Sequence, residues 1–237
     1  MVSPLTVERP PSLLSATIRR SIVVGRIYLL FGIGYLLVFG IVTGLASGPA
    51  FGSLITLFLP VFAVVGALGG MMVFTNDRLK GVFEYLIAYG ISPRRLFANV
   101  LVATLVLVSI VLGVSLTVGL GVYLARGNTI SAGLATDLVV YSVPMSYASA
   151  AFAATVGMFW TSLSSPRSGM NSPVGLMPII GIAPSLVTIG GIGAAATVGV
   201  SPLPVVICAV AVLAGVVLLM LRQVGRLMPL ERLLSPA

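Results

Sequence analysis

Runs of about 20 apolar residues recur along this chain, and a helix of that length can cross a bilayer core of about 30 Å. Backbone polar groups in lipid must hydrogen-bond internally, and these runs lack the alternation of a barrel strand, so each predicts a membrane-spanning α-helix. The composition agrees, because 58% of the 237 residues are hydrophobic and only 8% are charged. The sequence therefore predicts an all-α integral membrane protein, with residues 1–237 forming a single domain.

Six runs are predicted to be transmembrane helices, separated by loops rich in glycine, proline and charge. Their approximate bounds are Ile22–Leu45, Leu54–Phe74, Phe97–Leu124, Leu138–Leu163, Val174–Ile189 and Leu203–Leu221. Pro178, Gly181 and Pro184 interrupt the fifth span, and further glycines follow it up to Pro202. This pattern predicts a broken or re-entrant region between spans five and six, with a kinked helix and a long loop as the alternative.

Basic residues are distributed unequally between the two sides of this six-span arrangement. The side of the N-terminus carries twelve of the 13 lysines and arginines, and only Arg126 lies on the other side. Because basic loops stay in the cytoplasm, the chain is predicted to be a multi-pass protein of the cell membrane with both termini in the cytoplasm. The positive charge balance is explained by this orientation, so nucleic-acid binding is not predicted.

Charges gather between spans two and three, in the segment FTNDRLKGVFEYLIAYGISPRRLF, residues 74–97. Residues 76–89 are predicted to form an amphipathic helix about 20 Å long, which Asn76 or Asp77 would cap. Gly90 would end this helix. Its apolar stripe would consist of Leu79, Val82, Phe83 and Leu86. Ser92 and Pro93 then predict the start of the next helix.

Two interpretations of the helix predicted over 76–89 are open. It could rest on lipid head groups, as interfacial amphipathic helices do. It could instead dock a cytoplasmic protein, and Asp77 and Glu84 favour this second interpretation because their carboxylates gain nothing from anionic lipid.

The same segment resembles the first cytoplasmic loop of type-2 ATP-binding-cassette (ABC) transporter permeases. The residues that match in order are Asp77, Arg78, Gly81, Glu84, Ser92, Pro93 and Arg94. The six-span layout and the broken region before the last span are also similar. Val82 and Tyr85 depart from the family pattern, which usually has a threonine and a basic residue at these positions.

The resemblance implies the membrane subunit of an ATP-driven exporter. Such a subunit pairs with a second permease copy or a homologous permease, and with separate ATPase subunits that hold the cytoplasmic loops. Residues 76–89 would be the coupling helix that contacts the ATPase, and residues 12–24 an N-terminal amphipathic interfacial helix in contact with membrane lipid.

Other functions lack residues that they need. No phosphate-loop pattern surrounds Lys80, the only lysine, so the chain is predicted to have no ATPase site of its own and to be no enzyme. The sequence has no histidine, which excludes histidine metal sites and Ser–His proteolysis, and no cofactor is predicted. Asp137 is the only acidic residue near a span on the outer side, and proton-driven transport usually needs a carboxylate within a span. A channel or scaffold without an ATPase, and a secondary transporter, remain the alternative functions.

Residues inside the spans give further expectations. The absence of charge deep in any span favours a lipid-like or amphipathic cargo. Cys208, the only cysteine, is expected to be a small buried apolar residue. The candidates for lining a transport path are Tyr28, Tyr35 and Thr43, although Tyr28 could instead be an interfacial anchor.

Two faces of small residues suit close helix packing. Gly66 and Gly70 form the first, and the second consists of Gly113, Thr117 and Gly121. Packing inside one chain is expected for both faces, in preference to dimerisation.

Overall fold

The chain folds into long helices, and no strand occurs in the described residues. The computed structural model describes residues 12–45, 49–163 and 201–227, together with short pieces between 183 and 199. The helices are α1 (Leu13–Leu45), α2 (Pro49–Leu79), α3 (Val82–Ala88), α4 (Pro93–Ala125), α5 (Ala132–Thr136), a π-helical segment (Asp137–Ser142), α6 (Val143–Leu163) and α7 (Leu203–Leu227).

Four stretches of these helices are long and apolar enough to cross a membrane. They are Phe58–Leu79, Pro93–Ala125, Ala132–Phe159 and Leu203–Val224. These stretches correspond to the predicted second, third, fourth and sixth spans, and they indicate an integral membrane protein. The predicted fifth span and most of the broken region up to Pro202 lie outside the described residues.

The predicted first span lies within α1, which begins earlier than expected. Residues 13–24 continue into the rest of α1 without a break, so the helix predicted over 12–24 is not a separate element. Packing explains this continuity, because Ser21 is buried and Gly25 lies against the backbone of Gly69 in α2.

Helix α2 lies at the centre of the bundle, and α7 lies at its edge. Over the most apolar stretch of 18 residues in each helix, 67% of the residues are buried in α2 but only 17% in α7. Helix α4 packs against α1 and α2, α6 packs against α2, and α7 packs against α6. The expectation that Cys208 is buried is wrong, because it lies exposed on α7, where few neighbouring helices cover it.

Close backbone approach holds α2 and α4 together. A Cβ atom added to Gly70 would overlap the side chain of Thr104, lying 2.6 Å from its Cβ. A Cβ added to Gly66 would touch Val108 at 3.4 Å. The prediction that these two glycines pack within the chain is therefore confirmed.

The second face of small residues packs differently. Gly113, Thr117 and Gly121 are exposed on α4, and a Cβ at either glycine would meet no heavy atom of the described residues within 4 Å. The expectation of packing within the chain is wrong for this face, because the described neighbours of α4 contact its other sides.

The fourth span contains a π-helical segment, which was not predicted from the sequence. Pro144 has no backbone N–H, and its ring disfavours a normal α-helical turn before it. The preceding turn is wider, and the Ser142 hydroxyl donates to the Asp137 carbonyl oxygen at 3.0 Å. This segment begins at Asp137 and packs against α2.

We predict that Gly70→Ala lowers the free energy of unfolding by about 1–3 kcal/mol, because the added methyl group must displace Thr104. Thr104 cannot rotate away without loss, since its hydroxyl donates to the Val100 carbonyl oxygen at 2.8 Å. Gly113→Ala is the matched control, and it should be neutral or slightly stabilising. Thermal unfolding of both variants in detergent checks this, and equal losses would contradict the packing assignment.

Candidate functional site

The connection between α2 and α4 is a short helix bounded by two glycines. Gly81 and Gly90 both adopt left-handed backbone conformations, with φ of 67° and 81°. Such angles favour glycine, and the first one separates α3 from α2. The prediction of one helix over 76–89 is therefore wrong at its start, because residues up to Leu79 belong to α2 and α3 covers only Val82–Ala88.

The prediction that Gly90 ends the helix is confirmed. The N–H of Gly90 donates to the Ile87 carbonyl at 2.8 Å, and that of Ile91 to the Leu86 carbonyl at 3.1 Å. This pair of bonds is the Schellman arrangement that ends helices at glycine.

The next helix starts as predicted. Ser92 caps α4 by accepting a hydrogen bond from the N–H of Arg95, and Pro93 occupies the first turn. The chain thus turns sharply between α3 and α4.

A buried aromatic cluster holds α3 against the bundle. Phe83 packs on Phe74 of α2 with ring centroids 4.8 Å apart, and Phe74 packs on Phe97 of α4 at 4.9 Å. Phe97 in turn contacts Phe159 of α6 at 5.7 Å. A seven-residue helix is unstable alone, so the burial of Phe83, at about 1.5–3 kcal/mol, accounts for its fixed position.

The opposite side of α3 is exposed and carries aromatic and charged groups. Tyr85 and Tyr89 are 62% and 71% exposed, and their ring centroids lie 4.6 Å apart. A hydrogen bond with Tyr89 raises the pKa of Tyr85 above its usual 10.0. We define the α3 surface as the exposed residues Lys80, Glu84, Tyr85, Tyr89, Arg94 and Arg95.

An ion pair joins α1 to the end of α2 beside this surface. Arg20 Nη2 donates to Asp77 Oδ1 at 2.6 Å, and the Asp77 side chain is only 7% exposed, against 40% for Arg20. The predicted capping role of Asp77 is therefore wrong, since it lies in the last turn of α2 and pairs with a residue far away in sequence. Because Asp77 is buried, it is not available to a partner.

The other predicted site residues divide by position. Glu84 and Arg94 are exposed on the α3 surface, whereas Gly81, Ser92 and Pro93 shape the backbone. Arg78 is half-buried in α2, and it already takes part in an interaction within the chain.

Two further predictions concern the apolar stripe and the residues that would line a transport path. Leu79, placed in the apolar stripe, is 57% exposed because the stripe is interrupted at Gly81. The path-lining candidates Tyr28, Tyr35 and Thr43 lie in α1, but their side chains are outside the described part of the structure.

The exposed tyrosine pair was not predicted from the sequence. Tyr85 and Tyr89 are four residues apart, the spacing that places two side chains side by side on a helix. That spacing was the available signal, but exposure depends on which face Phe83 turns inward.

Comparison with known proteins gives no relative, as no protein-family model, curated protein or solved structure matches the chain. The resemblance to ABC permeases therefore rests on the residues quoted above and stays a prediction.

We predict that Arg20→Ala lowers the free energy of unfolding by about 1–3 kcal/mol, because it leaves the buried Asp77 carboxylate without its partner. Arg19→Ala is the matched control, since Arg19 is exposed one residue away and forms no ion pair among the described residues. Thermal unfolding in detergent compares the two, and indistinguishable losses would show that the pair contributes nothing.

Proposed function

We propose that this chain is the membrane-spanning subunit of an ATP-driven exporter of the ABC type, and that its α3 surface docks a separate ATPase subunit. The observation that carries the proposal is the position of α3. One side of this helix is buried in an aromatic cluster that three long helices share, and the other side is exposed.

This arrangement suits the transmission of movement. A displacement of α3 acts through Phe83 on Phe74 and Phe97. Because these two residues belong to α2 and α4, it acts on both helices together. Packed helices change between discrete arrangements and do not deform continuously, so a push on α3 would shift these helices as units. ATP-driven closure of a partner could supply that push.

The chemistry of the α3 surface favours a protein partner over lipid alone. Exposed tyrosines and arginines are the residue types that dominate binding energy at protein interfaces. Glu84 adds a negative charge beside the tyrosine pair, which anionic head groups would repel.

The proposal includes a second permease copy, or a homologous one, completing the transport path. Both termini and the α3 surface face the cytoplasm, and ATP is hydrolysed by the partner alone. The cargo is lipid-like or amphipathic.

The first test concerns coupling. The tagged chain is purified with the product of the neighbouring gene, the isolated phosphate-loop ATPase is identified, and the complex is reconstituted in proteoliposomes. We expect Tyr85→Ala and Glu84→Arg to weaken association of the subunits by about tenfold or more, because both alter the centre of the docking surface. Ile207→Ala, which changes an exposed residue on α7, is the control.

The Phe83→Ala variant distinguishes docking of the ATPase on α3 from transmission of movement to the spanning helices. This variant keeps the exposed groups of α3 but loses its buried contact, so transport per ATP hydrolysed should fall more than association does. If Glu84→Ala and Glu84→Arg both leave substrate-coupled ATP hydrolysis intact, the contact assigned to Glu84 is wrong. Transport by the purified chain without any ATPase would favour a channel or a secondary transporter.

The second test concerns orientation. Lys80 is exposed beside α3, and it should react with a membrane-impermeant amine reagent in inside-out vesicles but not in intact cells. Lys80→Arg corrects for labelling of the N-terminal amine. Reaction of Lys80 in intact cells would place the α3 surface outside the cell and end the docking proposal.

A further inference from the structure

Among the described residues at the end of the bundle away from α3, one anionic and one cationic side chain are present but not paired. Arg126 follows α4, and its Nη1 donates to the carbonyl oxygen of Leu45, the last residue of α1. Arg126 thereby provides a hydrogen-bond donor for a carbonyl group at the end of α1, where such groups have no partner within the helix. No ion pair joins Arg126 to Asp137.

Asp137 therefore has a carboxylate without a cation in the described part of the chain. Its backbone carbonyl accepts the Ser142 hydroxyl, but no described group donates to its carboxylate. Asp137 lies within the membrane-crossing stretch Ala132–Phe159, about 8 Å along the helix axis from its first residue. An ionisable side chain in such a stretch is costly and usually serves a function.

The carboxylate of Asp137 lies close to a glycine of α2. Asp137 Oδ2 faces Gly52 of α2, lying 3.6 Å from the point where a Cβ on Gly52 would be. Asp137 itself is half-buried, and it begins the π-helical segment, which packs against α2. A side chain added at Gly52 would lie against this carboxylate.

Apolar side chains lie near Asp137 on its own segment. Leu134 and Leu138 are buried on the same segment, and Val139 is 68% exposed beside them. A molecule reaching Asp137 would therefore meet one negative charge within an apolar setting.

We infer that Asp137 binds an amphipathic organic cation, a molecule with an amine, quaternary ammonium or similar positive centre on an apolar body. One carboxylate matches one positive charge, and the apolar surroundings match the body of such a molecule. A divalent metal fits poorly, since it needs several oxygen ligands and the described residues contain no group of three acidic, cysteine or histidine side chains. The inference does not depend on an ATPase partner.

The test uses tetraphenylphosphonium as the probe. The purified chain in phosphatidylcholine nanodiscs is dialysed against this cation, and uptake by empty nanodiscs is subtracted. We expect saturable binding to the wild-type chain, binding about tenfold weaker to Asp137→Asn, and retained binding to Asp137→Glu, because the charge provides the affinity. Tetraphenylborate, which has the same shape and the opposite charge, should bind Asp137→Asn at least as well as the wild type.

Two further measurements guard against misfolding. Asp137→Asn must elute as the wild type does in size-exclusion chromatography, and Gly52→Ala provides an independent variant that narrows the site while making only ordinary contacts. Weaker tetraphenylphosphonium binding to Gly52→Ala supports the site. Equal binding to the wild type and Asp137→Asn, or no saturable binding to the wild type, overturns it. Because no ATPase is present, this result is separate from the test of coupling.

Discussion

The contact between Phe83 and the aromatic cluster is the interaction on which the proposed function depends. Without it, α3 would be a seven-residue helix between two flexible glycines, and it could not transmit force. With it, the short helix that joins α2 to α4 shares a core with α2, α4 and α6. The same contact decides which residues are exposed, because burying Phe83 turns the tyrosine pair outward.

The bundle behind this contact is held by shape more than by charge. Lipid tails are as apolar as leucine side chains, so helices in a membrane gain little from burying apolar surface and depend on close packing. Gly70 against Thr104 is such a packing contact. It brings α2 and α4 together near the aromatic cluster, so that the two helices joined through α3 are also in direct contact.

Features encoded locally could be predicted from the sequence, and features that depend on distant residues could not. The lengths of apolar runs identified four helices now observed, and Gly90, Ser92 and Pro93 marked a real helix end and helix start. The role of Asp77 was missed because its partner, Arg20, lies 57 residues away. The exposure of Cys208 was missed because it depends on which helices surround α7.

Asp77 and Asp137 show how differently one residue type can be treated at the two ends of a bundle. Asp77 is nearly buried, and an arginine from α1 compensates its charge, so its contribution is to stability. Asp137 has a comparable position at a helix end, but the arginine nearest in sequence bonds a helix carbonyl instead. No described cation compensates the Asp137 carboxylate within this apolar stretch, and an uncompensated charge there has a stability cost. A bound cation would offset that cost. For this physical reason, a binding role is assigned to Asp137 and a structural role to Asp77.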